Sequence, residues 1–405
     1  MFATYSFSNK MNLACKVIDN IGKLQNTKRA FFICYRKLST IERSTKAVNE
    51  AEKVIGYSTS FLSLRWLLND EVANIAFNLK KLIGTKHPLI NTARELIINK
   101  ESPSWGLLVL LISKAAGLNK KFSPVECDIN AGVLNSQRVL AEVTEMVRTS
   151  NIIHKSILNI SKNDEFYDDL HFGNKLSLLT GDYLLSTSFR ELAGLNCYRV
   201  NELVSTCLRD LSEADFIEPR NRQNQPYPAE PVPQKEDVPV PHHFDKDVLV
   251  VSEVLGNAKA EWTLRHLLGG ASLLGKCCQA TLVLAEQPRH LEEASYIFGR
   301  NTALALQVRK DITYFRSGEI GPFSLISAPL MFHIQDDVEF YKTLVESITN
   351  DDIQYGKIRS IVLSGNGIEK SLELKNEFVN NSLEALKSFP ESEAKNALIN
   401  ILETV

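Results

Sequence analysis

Leu140-Ala-Glu-Val-Thr-Glu-Met-Val-Arg148-Thr-Ser150-Asn-Ile-Ile-His154-Lys155-Ser156-Ile157-Leu158-Asn159 is the stretch on which the reading of this chain turns. Leu140, Val143, Val147, Ile153, Ile157 and Ile160 follow the rhythm of a helix with one apolar face, so a helix is expected to run through residue 159. A second run follows: Phe172-Gly173-Asn174-Lys175-Leu-Ser-Leu-Leu-Thr-Gly181-Asp182-Tyr183-Leu184-Leu185. Farther on, Ile297, Leu304, Val308, Ile312 and Phe315 repeat the helical rhythm. Beyond residue 48 strand alternation is scarce and few prolines interrupt these regions. The pattern predicts an all-α protein.

Composition narrows the classes of function. The 405 residues suffice for one large helical domain, and 44% hydrophobic residues are enough to build its core. A net charge of −2 gives no footing for nucleic acid. No apolar run reaches the roughly 18 residues of a membrane span, and Trp105 to Ile112 reads as a buried helix. Seven cysteines without a Cys-x-x-Cys pair predict reduced thiols, with Cys277 and Cys278 as packing residues. Residues 1–47 form a separate segment. Lys10, Lys16, Lys23, Lys28, Arg29, Arg36, Lys37, Arg43 and Lys46 face only Asp19 and Glu42, a pattern that suits a mitochondrial transit segment. Residues 48–405 form the helical domain. Within it, half of the 14 prolines fall between Pro219 and Pro241. Proline lacks the donor that a helix interior needs, so residues 214–246 read as an extended insertion between two helices.

The two quoted runs resemble the trans-polyprenyl diphosphate synthase family. There a histidine precedes an Asp-Asp-x-x-Asp metal site, and a Gly-Asp-[Phe/Tyr]-Leu-Leu run follows. Gly56-Tyr-Ser-Thr-Ser-Phe61 and Leu108-Val-Leu-Leu-Ile-Ser-Lys-Ala-Ala-Gly117 strengthen the likeness. The resemblance implies an isoprenoid synthase helical bundle with a proline-rich inter-helix insertion.

Prenyl transfer requires an allylic diphosphate to lose its leaving group. Magnesium neutralises that group and takes oxygen ligands. Aspartates at i and i+4 of a helix share one face and aim into one cavity. In this chain the first site reads Lys155-Ser156-Ile157-Leu158-Asn159, with all three aspartates replaced. An ammonium about 4 Å from a divalent ion is repelled by roughly 8 kcal/mol at an effective dielectric near 20. The second site reads Gln307-Val308-Arg309-Lys310-Asp311-Ile312-Thr313-Tyr314, so one of six expected carboxylates, Asp311, survives. Gln335-Asp336-Asp337-Val338-Glu339 imitates the motif but lies too late in the chain and reads as a solvated face.

Other positions agree. The family's basic grip for isopentenyl diphosphate falls at Glu101-Ser-Pro-Ser-Trp105-Gly106, which contains no basic residue. By the resemblance, Lys276 matches the lysine of a Lys-Thr pair, and Ser150 takes the product-length position. The degenerate substrate-binding positions are therefore Lys155, Lys276, Gln307, Lys310 and Asp311, with no catalytic residue and no metal ligand in this chain. The resemblance extends to those family subunits that lack the aspartate-rich motifs. It implies a hetero-oligomer with a catalytic subunit that carries the magnesium, a tunnel for the prenyl diphosphate shared between them, and a polyprenyl tail made for ubiquinone in mitochondria. A metal-independent isoprenoid- or diphosphate-binding protein, or a helical scaffold without transferase role, is the alternative.

Overall fold

The computed structural model describes residues 42–56, 87–98, 102–118, 122, 127–128, 132–232, 251–316 and 321–405. Most of Gly56–Phe61, Glu101 and residues 233–246 of the insertion lie outside the described residues. The architecture is all-α, as the periodicity predicts. In chain order the helices are α1 (42–55), α2 (Pro88–Ile98), α3 (Trp105–Ala116), α4 (Asn135–His154), α5 (Tyr167–Gly194) and α6 (Tyr198–Glu213). After the insertion come α7 (Ala258–His266), α8 (Ser272–Leu284), α9 (Arg289–Arg316), α10 (Ala328–Asp336), α11 (Val338–Thr349), α12 (Tyr355–Ser364), α13 (Gly367–Leu386) and α14 (Glu393–Thr404). The strands described are a two-residue pair, Cys127–Asp128 antiparallel to Val133–Leu134.

α8 is the axis of the core. Leu273, Leu274, Cys277, Cys278, Ala280 and Leu282 are buried on all its faces, and α3, α4, α6 and α9 pack around it. Cys277 and Cys278 are thus packing thiols, and Cys197, Cys207, Cys277 and Cys278 are free. α9 lies between α8 and α13. Its approach to α8 is close because of Gly299. A Cβ there would fall 2.8 Å from the Leu274 carbonyl oxygen and 2.9 Å from Cys278 Sγ. A turn of π-helix, Leu267–Ala271, joins α7 to α8. Ala258–Leu284 is by length and composition apolar enough to cross a membrane, a length the sequence reading did not find; 72% of its apolar window is buried, which fits a core helix.

α1 belongs to the folded body. Ser44, Ala47, Ala51 and Ile55 are buried, so the body takes in residues 42–47, ahead of the boundary drawn at 48. α4 and α5 pack as a pair through small residues. Ser150 Oγ donates to the Gly181 carbonyl (2.8 Å), and the His154 ring fills the notch that Gly181 leaves. His154 Nε2 also meets Asp182 at 3.2 Å. Gly173 leaves a similar notch for the His87 ring. The imitation motif has local tasks: Asp337 caps α11 by accepting from Phe340 N (3.0 Å), and Asp336 pairs with Lys370 (2.6 Å).

Candidate functional site

The first degenerate motif does not continue its helix, contrary to the expectation from periodicity. α4 ends at His154, Lys155 forms its cap, and residues 157–161 are irregular. Ile157 is exposed rather than on an apolar helix face. Side chains from elsewhere take the backbone bonds that a continuing helix would have made. Asn174 Oδ1 accepts from Leu158 N (2.8 Å), and Asn174 Nδ2 donates to Leu158 O (2.8 Å). Gln223 Oε1 accepts from Asn159 N (2.9 Å). Ser156 turns inward, buried, with its hydroxyl 2.8 Å from that of Thr92. The i, i+4 face that would aim residues 155 and 159 together is therefore absent.

Lys155 is exposed, yet the protein around it lowers the affinity of its ammonium for the proton. Desolvation is the main cause; the nearby Asp215 carboxylate opposes it and Arg220 reinforces it. His266 ends α7 and is enclosed by protein. Burial pushes this imidazole down to about 3, with Lys155, Arg265 and Lys310 adding to the effect. Lys155 at the end of α4 and Lys310 of α9 thus both bear on one imidazole.

The second motif remains helical within α9, and its one carboxylate faces inward. Asp311 is buried and accepts three hydrogen bonds. Trp262 Nε1 (2.9 Å) and Ala328 N (2.9 Å) donate to Oδ2, and Gln307 Nε2 (2.8 Å) donates to Oδ1. Burial raises its pKa to about 6, although each of these bonds pulls the other way. Gln307 and Asp311 are brought together, but as a structural knot that ties α9 to α7 and to the start of α10. Lys310 and Tyr314 are exposed on α9, and Arg309 reaches back to Ser44 Oγ of α1 (3.4 Å).

Lys276 lies apart from these residues. Its ammonium is buried inside the bundle, 2.9 Å from Asp210 Oδ2 and 3.0 Å from Thr206 Oγ1, while Ser272 donates to the same Asp210 oxygen. Asp210 and His266 carried no signal in the sequence, because what defines them is who faces them across helices. Ser150, at the product-length position, is buried against α5. Where the basic grip is missing, Ser104 Oγ caps α3 by accepting from Leu107 N (3.1 Å), and Arg148 of α4 lies 4.9 Å over the Trp105 ring. Among the described residues no group of three or more His, Cys, Asp or Glu side chains is placed to hold a metal ion. The surviving carboxylate, Asp311, is engaged by three donors, and lysines stand at the leading position of each motif.

No family model matches the chain. The all trans-polyprenyl-diphosphate synthase PDSS2 of Mus musculus is 34% identical over 372 residues, which are 89% of this chain and 86% of that protein. The chain belongs to the trans-polyprenyl diphosphate synthase family. A Neurospora crassa relative named "Probable hexaprenyl pyrophosphate synthase, mitochondrial" is 27% identical over 83% of this chain and 79% of its own. Among solved structures, a decaprenyl diphosphate synthase from Rhodobacter capsulatus superposes with a TM-score of 0.54 at 14% identity, covering 85% of this chain and 98% of that one. The fold is therefore that of the polyprenyl synthases. What this member of the family keeps is packing: Gly181 for the α4–α5 contact, Gly299 for the α8–α9 contact, and Gln307 with Asp311 for the α9 knot.

Proposed function

We propose that this chain is the non-catalytic subunit of a hetero-oligomeric trans-polyprenyl diphosphate synthase that makes the polyprenyl side chain of ubiquinone in mitochondria. A catalytic partner subunit supplies the magnesium and ionises the allylic diphosphate. The observation that carries this reading is the environment of Asp311. The last of six motif carboxylates is buried and accepts hydrogen bonds on both oxygens from Trp262, Gln307 and Ala328. The names of the relatives supply the substrate class, and the mitochondrial name in one of them supports the compartment. The basic, acid-poor residues 1–41 agree with import.

α5 provides a surface for the partner. This 28-residue helix packs mainly on α4 and leaves Leu178, Leu179 and Phe189 exposed at 47%, 55% and 46%. Exposed apolar side chains grouped on one long helix favour association, because covering them removes apolar surface from water. The prenyl chain grows in a tunnel formed with the partner.

The test is to purify this chain alone and with the catalytic subunit and to assay chain extension from farnesyl diphosphate and isopentenyl diphosphate. The lone chain is expected to be inactive and the co-expressed pair active. Magnesium-dependent extension by the lone chain would overturn the reading. Absence of any association would leave the scaffold alternative in its place.

A further inference from the structure

Residues 214–232, the described part of the insertion, are anchored at several points from end to end. A surface connection of this kind is ordinarily solvated and mobile. Here three buried or anchored groups take up its backbone. At the root, Arg220 donates to Ala214 O (2.6 Å) and Asn224 O (2.7 Å) and meets Asp215 at 3.4 Å, with its side chain only 7% exposed. From below, Arg265 of α7 donates to Ile217 O (3.0 Å) and Glu218 O (2.8 Å). Its buried partner Glu261 accepts from Ala229 N (3.0 Å) and Gly256 N (2.9 Å). Ala214 and Ile217 add a small apolar cluster with Val254, Ala260, Leu264 and Leu268.

The outer fold of this strap grips the first degenerate motif. Asn159 N donates to Gln223 Oε1 (2.9 Å), Asn159 Nδ2 donates to Arg222 O (3.0 Å), and Gln223 Nε2 donates to Asn159 O (3.0 Å). Asn159 is the position of the third aspartate by the family pattern. An aspartate there could accept but not donate, so it could not make the bond to Arg222 O. The substitution that removes a metal ligand thus also creates a latch.

We propose that residues 214–232 are a built-in plug over this subunit's first degenerate motif, latched by Asn159 and clamped by Arg265 and Glu261. The proposal deepens the reading of the chain as non-catalytic and rests on it. A covered motif keeps free diphosphate away from a site that lacks the carboxylates to hold a metal with it.

The experiment uses the full chain in complex with its catalytic partner. Hydrogen exchange is followed at the strap amides, and binding of inorganic pyrophosphate in EDTA is measured by calorimetry. Amides of Tyr227, Ala229 and Val232 in the wild type are expected to exchange at least about a hundredfold more slowly than unstructured peptide. Asn159→Ala with Gln223→Ala removes the latch and should speed strap exchange about tenfold and strengthen pyrophosphate binding by a similar factor. If the double variant does not fold, Gln223→Ala alone serves, since this side chain is exposed. Wild-type strap amides exchanging at the unstructured rate would overturn the plug, as would equal pyrophosphate binding by wild type and variant. Failure of the non-catalytic reading would show separately, as magnesium-dependent chain extension by the lone chain.

Discussion

Replacing Asp311 separates a structural carboxylate from a catalytic one. In Asp311→Ala, Trp262 Nε1 and Ala328 N lose their acceptor, and both residues are fully buried with no route to water. Two orphaned buried donors cost about 1–3 kcal/mol each. Asp311→Asn retains an oxygen at that place, and the Gln307 amide can turn to accept from the new amide. The alanine variant should therefore be less stable than the asparagine variant by about 2–6 kcal/mol. The pH profile gives a second magnitude. With a folded-state pKa of about 6 against an ordinary 3.8, the folded protein holds this proton more tightly than the unfolded chain. The stability contributed is full below the unfolded value and is lost as pH rises through about 6, a change of about 3 kcal/mol overall. Urea denaturation of wild type and Asp311→Asn between pH 5 and 7.5 covers about half of that change. The asparagine variant should gain on the wild type as pH rises. A difference that does not vary with pH, or an alanine variant as stable as the asparagine one, would refute the structural assignment. So would an Asp311→Asn complex of normal stability that has lost prenyl transfer, the behaviour of a metal ligand.

Four further outcomes follow from other parts of the bundle. Lys276→Met or Asp210→Leu alone should cost about 3–5 kcal/mol by stranding a buried charge, whereas the double variant should cost well under the sum in a double-mutant cycle by urea denaturation. Gly299→Ala should destabilise by about 1–3 kcal/mol, because its Cβ meets backbone of α8 at 2.8 Å that cannot swing aside. His266 has a folded pKa of about 3 against 6.5, so its contribution is present above 6.5 and is lost as pH falls. His266→Leu should consequently gain on the wild type by about 2 kcal/mol between pH 7.5 and 5 in the same titration. Restoring aspartate at Lys155, Ser156 and Asn159 together should yield no magnesium-dependent extension by the lone chain, since α4 stops at His154 and the second motif still lacks its ligands.

Much of the fold was legible because helical periodicity is a local property. The spacing of Leu140, Val143 and Val147, and of Leu304, Val308 and Ile312, marks the buried faces of α4 and α9. The glycines of the Gly-Asn-Lys and Gly-Asp-Tyr runs are notches for His87 and His154, a reason that emerges only when the opposing rings are in place. The same periodicity misled beyond His154. Ile157 and Ile160 keep the rhythm, but the bonds that end the helix come from Asn174 and Gln223, and no window of neighbouring residues contains the latter.

By itself the sequence determined that the chain is helical, that it belongs among the polyprenyl synthases, and that five of six motif carboxylates are gone. These follow from residue identity and near-neighbour spacing. Only the tertiary structure decided where the surviving charges went. Asp311 turned into the core because Trp262, 49 residues away, offers it a donor, and Lys276 turned inward because Asp210, 66 residues away, offers it a counter-charge. A buried ionised group is tolerable only beside such partners, and which partners meet is a property of how helices pack rather than of their order along the chain.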